Sequence, residues 1–336
     1  MVMNSSNRRM LVVGNGFDLA HGLPTRYQDM LDALSHDTAS WLSAEDRQRY
    51  SDNPFIKYFS KYKDLPGWTG FEGELQIIIN YFCQSHSAVI TNPYLKRSSI
   101  EQAFGVFFCK YWREKRYREL WQSLQQYLNE LISYIDLYLS KYIPSQVPKT
   151  LSTDTQYPRF IYKRHYDYFL SFNYTNTYFD FGKMMNDGNG IVVPTEDQFI
   201  HGCCSAIGAS QNIVLGIEDN DPSNLDTIYF KKYFQRIQKK TGREVFDWFD
   251  EEISSPKPIV TNIFGHSLDT TDKDILMLIL EKSQYTNIYY YNQADYEQKI
   301  INLVRLYGSP EEFTKRYYNH KIRLCDQTAE DEQLPD

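Results

Sequence analysis

The chain is 336 residues long, 42 % hydrophobic and 16 % aromatic, enough for one large domain or two ordinary ones with a sizeable core. Its formal net charge of −7 excludes bulk electrostatic binding of nucleic acid or membranes, although local basic runs occur. The 5 cysteines, Cys83, Cys109, Cys203, Cys204 and Cys325, are scattered without any C-x-x-C, which excludes a disulfide framework and leads us to expect no metal. The amino-terminal MVMNSSNRRMLVVGNG has no long apolar core and no apolar run of about 18 residues follows, so a soluble cytoplasmic protein with reduced thiols and no membrane partner is expected.

In chain order, Met10 to Val13 is a short apolar run that predicts a strand and leads directly into Gly14-Asn15-Gly16. Glycine lets the chain turn sharply there. With a helix starting at about Phe17 to Leu19, the outward amides would converge on a site suited to a phosphate. Asp18 is a candidate cap for that helix, or an acceptor for a ribose hydroxyl. Leu19 stands where the dinucleotide fingerprint G-x-G-x-x-G needs its third glycine, which argues against an ordinary dehydrogenase. From Tyr27 to about Ile143 the pattern is helical: Leu120, Leu124, Leu128, Leu131, Ile135 and Tyr138 recur three or four apart as one apolar stripe. NPFIKYFSKY and GELQIIINYFCQ look similar in shorter form, and a Pro/Ser/Thr-rich loop, IPSQVPKTLSTDTQYP, follows.

Beyond that loop DYFLSF, QFIHG, NIVLGI, PIVTNIFG and NIYYYN are short apolar runs bounded by Gly, Asn, Asp or Pro, and they predict strands. Between the last two, HSLDTTDKDILMLILEKSQYT predicts a helix capped by Asp269 or Thr271 that buries Ile275, Leu276, Leu278 and Ile279, and hence a parallel pair with a right-handed crossover. The fold class that follows is α/β, a doubly wound parallel sheet with a large helical insertion. Residues 1–30 form the first part of the α/β domain, 31–150 the helical insertion, 151–325 the remainder of the domain, and 326–336 a flexible acidic tail.

In open parallel sheets ligands lie beyond the carboxyl ends of the strands. The residues at those positions are Gly14-Asn15-Gly16, Asn173-Tyr174-Thr175-Asn176, His201-Gly202, Glu218-Asp219 and Gly265-His266-Ser267, a polar set nearly free of Lys and Arg. Such a set holds ribose hydroxyls and phosphates through neutral donors and backbone amides. His201, followed by a glycine, can act as a general base near neutral pH or bond to a neighbouring backbone carbonyl. Asn173 can orient a sugar hydroxyl or a water, or close an Asx-turn. His21 and His165 read as structural. Two basic runs, one with Lys110, Arg113, Lys115, Arg116 and Arg118 and one with Lys231, Lys232, Arg236, Lys239, Lys240 and Arg243, read as solvated helix faces or as nucleic-acid surfaces. No H-E-x-x-H, G-x-S-x-G or Walker motif occurs, so zinc protease, serine hydrolase and P-loop ATPase have no support.

Six blocks in fixed order, LVVGNGFDLAHGLPTRY, GWTGFEGEL, FLSFNYTNTY, FIHG, VLGIED and FGHSLDTTD, together resemble the AbiH family of bacterial abortive-infection proteins. More distantly, the order G-x-G, G-h-P, strand-end Asn, H-G and G-x-S-L is similar to the sirtuin-like NAD-binding domain, a Rossmann-like fold. That resemblance implies NAD as substrate or ligand, with Asn173 and His201 flanking the nicotinamide ribose as catalytic residues. It implies binding roles for Gly14, Asn15, Gly16, Asp18, Pro24, Gly265, His266 and Ser267. The cysteine pairs of the sirtuin zinc module are absent between His201 and Gly265, so deacetylation is not expected.

The leading expectation is therefore a phage-defence protein that cleaves the nicotinamide–ribose bond of NAD or of a related nucleotide, with a phage-derived trigger and a second copy of the chain as further candidate partners. Two other classes stand beside it: a nucleotide-binding sensor without turnover, and a nucleic-acid effector working through its basic helices.

Overall fold

The computed structural model describes residues 7–35, 41–61, 67–84, 99–105, 116–148, 158–185, 193–206, 212–217, 225–250 and 257–327. Its frame is one six-stranded, wholly parallel sheet: β1 (Arg8–Val13), β2 (Tyr168–Ser171), β3 (Glu196–Phe199), β4 (Ile259–Phe264), β5 (Tyr285–Tyr290) and β6 (Ile322–Asp326). They lie in the order β3-β2-β1-β4-β5-β6. The chain winds outward from β1 to β3, returns to the centre and winds outward again from β4, so its direction reverses between β1 and β4.

Central strands of a parallel sheet are buried on both faces and must be apolar throughout, which is why Met10–Val13 reads as an unbroken run. β4 is also fully buried although it contains Thr261 and Asn262, and these polar groups are satisfied by a helix cap and by the next strand. Thr261 meets Ser283 at 2.7 Å, and Asn262 accepts from Asn287 at 3.1 Å. Edge strand β3, with the sequence EDQF, is largely exposed, which discourages pairing with another chain. On one side of the sheet Met10, Val12, Leu170, Ile263 and Ile288 share a core with Val245, Trp248, Ile275, Leu276, Ile279 and Leu303.

The chain divides into two compact units, Met1–Leu23 with Gln146–Cys203 and Lys240–Asp336, and Pro24–Ser145 with Cys204–Lys239. The first holds the sheet. The second is helical and rich in buried aromatics. On its helix Tyr117–Leu137, Leu120, Leu124, Leu128, Leu131 and Ile135 are buried as the three-and-four spacing predicts, and Tyr138 begins a π-helical continuation. Rings fill the rest of this core, Phe59 on Phe71 at 4.0 Å and Phe104 against Phe55 and Phe82.

Several expectations need correction. NIVLGI is not a strand: residues 213–217 are buried in the helical unit, and Leu215 has its N–H and C=O taken by the side chain of Gln235 at 3.1 and 2.8 Å. Among the described residues it forms a single parallel bridge, Ile217 with Lys231. Residues 204–239 thus belong to the helical unit, where the sequence reading had the α/β domain. Helices Gln293–Tyr307 and Pro310–Tyr318 and strand β6 extend the α/β unit, and Asp326 closes β6 where the tail was expected to begin. On the helix Lys273–Lys282 the buried residues are Ile275, Leu276, Ile279 and Leu280, with Leu278 only partly covered.

Candidate functional site

Four neighbouring strands, β3, β2, β1 and β4, end in one row. Val13 is in register with Ser171 and Phe264, and Ser171 with Phe199. Two residues past that row on each chain stand Asn15, Asn173, His201 and His266. The shared register of these strand ends therefore delivers four of the candidate residues to the same carboxyl-terminal edge of the sheet.

The glycine loop has a close-packing role. Helix Asn15–Ala20 starts directly after Gly14, which occupies its N-cap without a side-chain bond, so Asp18 is not the cap. Gly14 N–H donates to Phe264 O at 3.0 Å and Gly16 N–H to Gly265 O at 2.8 Å. A Cβ on Gly14 would stand 2.7 Å from His266 Cα, one on Gly16 2.8 Å from Gly265 Cα, and one on Gly265 2.2 Å from Phe17 N. Gly265 also has φ +68°. The loops after β1 and β4 thus touch backbone to backbone, and glycine is the residue that permits it. Two of the amides expected to face a phosphate are bonded within the protein.

Asn173 reaches across to that loop. Its Nδ2 donates to Gly14 O at 2.9 Å and to Asp18 Oδ1 at 3.0 Å, so its side chain does not close a local Asx-turn. The local turn is made instead by Ser171, whose Oγ accepts from Asn173 N–H at 3.0 Å. Asp18 is buried to 1 % exposure and also accepts from Thr175 Oγ1, at 2.6 Å. A buried carboxylate must be compensated by donors, and these two side chains from the β2 end supply them.

His201 follows β3 and its Nε2 stands 2.8 Å from Asp272 Oδ1, both side chains being more than nine-tenths buried. Its partner is a carboxylate and not a neighbouring backbone carbonyl. Gly202 behind it has φ +74°, the left-handed conformation that turns the chain away from the ring. His266 lies on the other side of the same carboxylate, 4.0 Å from Asp272 Oδ2. The His266 Nδ1 accepts from Leu268 N–H at 2.9 Å. Phe172 packs its ring against both imidazoles, with centroids 5.4 Å from His201 and 4.2 Å from His266. The segment Gly265–Leu268 carries a second left-handed residue, buried Leu268 at φ +61°, a strained conformation held from outside. Buried Lys299 donates to His266 O at 3.1 Å while pairing with Asp295, and Asn302 donates to Ser267 O at 2.8 Å. Burial pulls the Lys299 ammonium below its ordinary pKa, with Asp295 opposing that shift.

The structure brings Gly14, Asn15, Gly16, Asp18, Asn173, His201, Gly265, His266 and Ser267 into one unit, at one end of its sheet. Ser267 is exposed. Pro24 opens the other unit, where its carbonyl accepts from Tyr138 OH at 2.6 Å. Glu218 and Asp219 lie outside the described residues, as do Lys110, Arg113 and Lys115. His21 is structural: Nδ1 meets Phe17 O at 2.7 Å, Nε2 meets Tyr162 OH at 2.9 Å, and burial pushes its pKa down to about 4. The second basic run turns inward. Lys231, Lys232 and Arg236 are buried and Lys232 pairs with Glu72 at 2.8 Å, while Tyr233 and Ile237 face outward with Lys240 and Arg243, so half of the run's six cations are withdrawn from the surface. Among the described residues no group of three or more His, Cys, Asp and Glu is arranged to hold a metal ion, and no helix is long and apolar enough to cross a membrane.

Sequence reasoning missed Asp272, Lys299 and Asn302 as supports of the site, and held Thr175 only as a member of the strand-end set. Asp272 closes the block FGHSLDTTD, where its fixed distance from His266 was a usable signal, whereas Lys299 and Asn302 sit on an amphipathic helix and gave none.

Fold and site together define an α/β protein with a parallel sheet and a buried, neutral-polar cluster, anchored by two carboxylates, at the strand ends. Residues 10–292 match the family model described as Bacteriophage abortive infection AbiH, and the chain belongs to that family. No curated protein and no solved structure matches it.

Proposed function

We propose that the protein acts in phage abortive infection by hydrolysing the nicotinamide–ribose bond of NAD or a related nucleotide at the strand ends that carry Asn173 and His201. The observation that carries this reading is the common row of strand ends, which gathers Asn15, Asn173, His201 and His266 at one edge of a sheet ordered β3-β2-β1-β4-β5-β6. That order is shared with doubly wound dinucleotide-binding folds, whose ligands lie where the winding reverses. Water attacks the anomeric carbon of the ribose as the bond to nicotinamide breaks with its electron pair. The proton released by the water passes to His201, and Asn173 holds the water or the ribose hydroxyls. Neutral nicotinamide and ADP-ribose are the products. With two loop amides engaged by the β4 end, the diphosphate falls to the Ser267 hydroxyl and the Asn15 side chain.

The test pairs nicotinamide release from NAD with a phage-challenge assay. His201→Ala should lower turnover by roughly 10² to 10⁴ while leaving ligand-induced thermal stabilisation in place. Asn173→Ala should lose both turnover and some affinity. Full protection against phage by both variants overturns the reading.

A further inference from the structure

We infer that Asp272 is a positioning residue that holds His201 as the Nε2–H tautomer, so that Nδ1 is its proton-accepting atom and the group received there is a hydroxyl donor, a ribose hydroxyl or water, and not a phosphate. The inference rests on the reading of His201 and Asn173 as the site. Neutral imidazole has one donor and one acceptor nitrogen, and the partner of one decides the state of the other. Asp272 Oδ1, 2.8 Å from His201 Nε2, is an acceptor and therefore keeps the hydrogen on Nε2. Nδ1 is then the lone-pair atom, and among the described residues it has no hydrogen-bond partner. His266 cannot take over this role, because its own Nδ1 is occupied by Leu268 N–H.

Asn173 is held in the same sense by the other buried carboxylate. Its Nδ2 faces two acceptors, Gly14 O and Asp18 Oδ1, and turning the amide over would set oxygen against oxygen. Asp18 cannot yield, since its second oxygen is engaged by Thr175 and Thr177 follows Thr175 at 3.2 Å. Asn173 therefore keeps Oδ1 as its remaining hydrogen-bonding atom. Two acceptors, His201 Nδ1 and Asn173 Oδ1, suit hydroxyl hydrogens and repel the oxygens of a phosphate. When the proton arrives on Nδ1 the imidazolium forms beside the Asp272 carboxylate, and the charge is paired without any movement.

Long-range ¹H–¹⁵N spectra of the full chain with ¹⁵N-histidine test this without any substrate, the His201 signals being assigned from His201→Gln. The wild type should show His201 as Nε2–H with an unprotonated Nδ1, and a wild-type Nδ1–H tautomer overturns the inference whether or not Asp272→Asn folds. Asp272→Asn offers an N–H to Nε2 and should move His201 to the Nδ1–H form; an unchanged tautomer in the folded variant also overturns it. ADP-ribose, which carries free hydroxyls, should shift the Nδ1 signal, and inorganic pyrophosphate should not. A shift caused by pyrophosphate, or ADP-ribose stabilising the protein to heat with Nδ1 unmoved, overturns the hydroxyl assignment. Failure of ADP-ribose to bind overturns the nucleotide reading instead, while the tautomer result stands on its own.

Discussion

His21 shows how a titratable residue inside the motif block can be structural and still measurable. It is wedged between Phe17 and Phe181, and burial lowers its pKa from 6.5 to about 4. Between those two values the unfolded chain takes up a proton that the native state refuses. The stability present above pH 6.5 is therefore lost as the pH falls through this window, by up to about 3 kcal/mol. His21→Phe, which keeps a ring there, should flatten that part of the urea-denaturation profile, and an unchanged pH slope would count against this assignment. The glycines of the first loop call for the same separation of roles. Because a side chain on Gly16 meets Gly265 before any ligand, loss of function in Gly16→Val would report on loop packing first.

At the scale of elements, the instructive case is the run NIVLGI. It is apolar and β-branched, and all that it lacks is a neighbouring strand. The Gln235 side chain serves as one, offering its amide oxygen to Leu215 N–H and its amide hydrogens to Leu215 O and Tyr229 O. Gln235→Leu keeps the volume but strips partners from buried backbone groups, each worth roughly 1 to 3 kcal/mol. We expect a loss of about 3 kcal/mol in denaturant titration, the upper end of that range for one group. A melting temperature equal to wild type would show that Leu215 finds other partners.

At the scale of the whole molecule, charge is partitioned in an unusual way. The net charge is −7, and three cations of the one basic run that is fully described are buried in the helical unit. Removing one partner of a buried ion pair leaves an uncompensated charge, so Lys232→Met should destabilise by about 3 kcal/mol through Glu72. The same variant should leave retention on immobilised DNA unchanged across a salt gradient. Weakened retention with wild-type stability would instead make this lysine part of a nucleic-acid surface.

What the sequence determined by itself was whatever is encoded locally. Apolar runs ending at glycine marked β1 and β4, three-and-four periodicity marked the helix from Tyr117, and the order of short blocks marked the family. The candidate residues at strand ends were legible because a parallel sheet sends every carboxyl end to one edge, and a strand end can be read from hydrophobicity. Pairing across long stretches of chain was decided only by tertiary structure. That Asp272 meets His201 71 positions away, that Asp18 holds Asn173 155 positions away, and that Gly14 and Gly16 are small for the sake of Gly265 all follow from strand order and register. Periodicity records which face of an element is buried. It does not record which element comes to cover that face, because the partner is chosen by packing the whole chain at once.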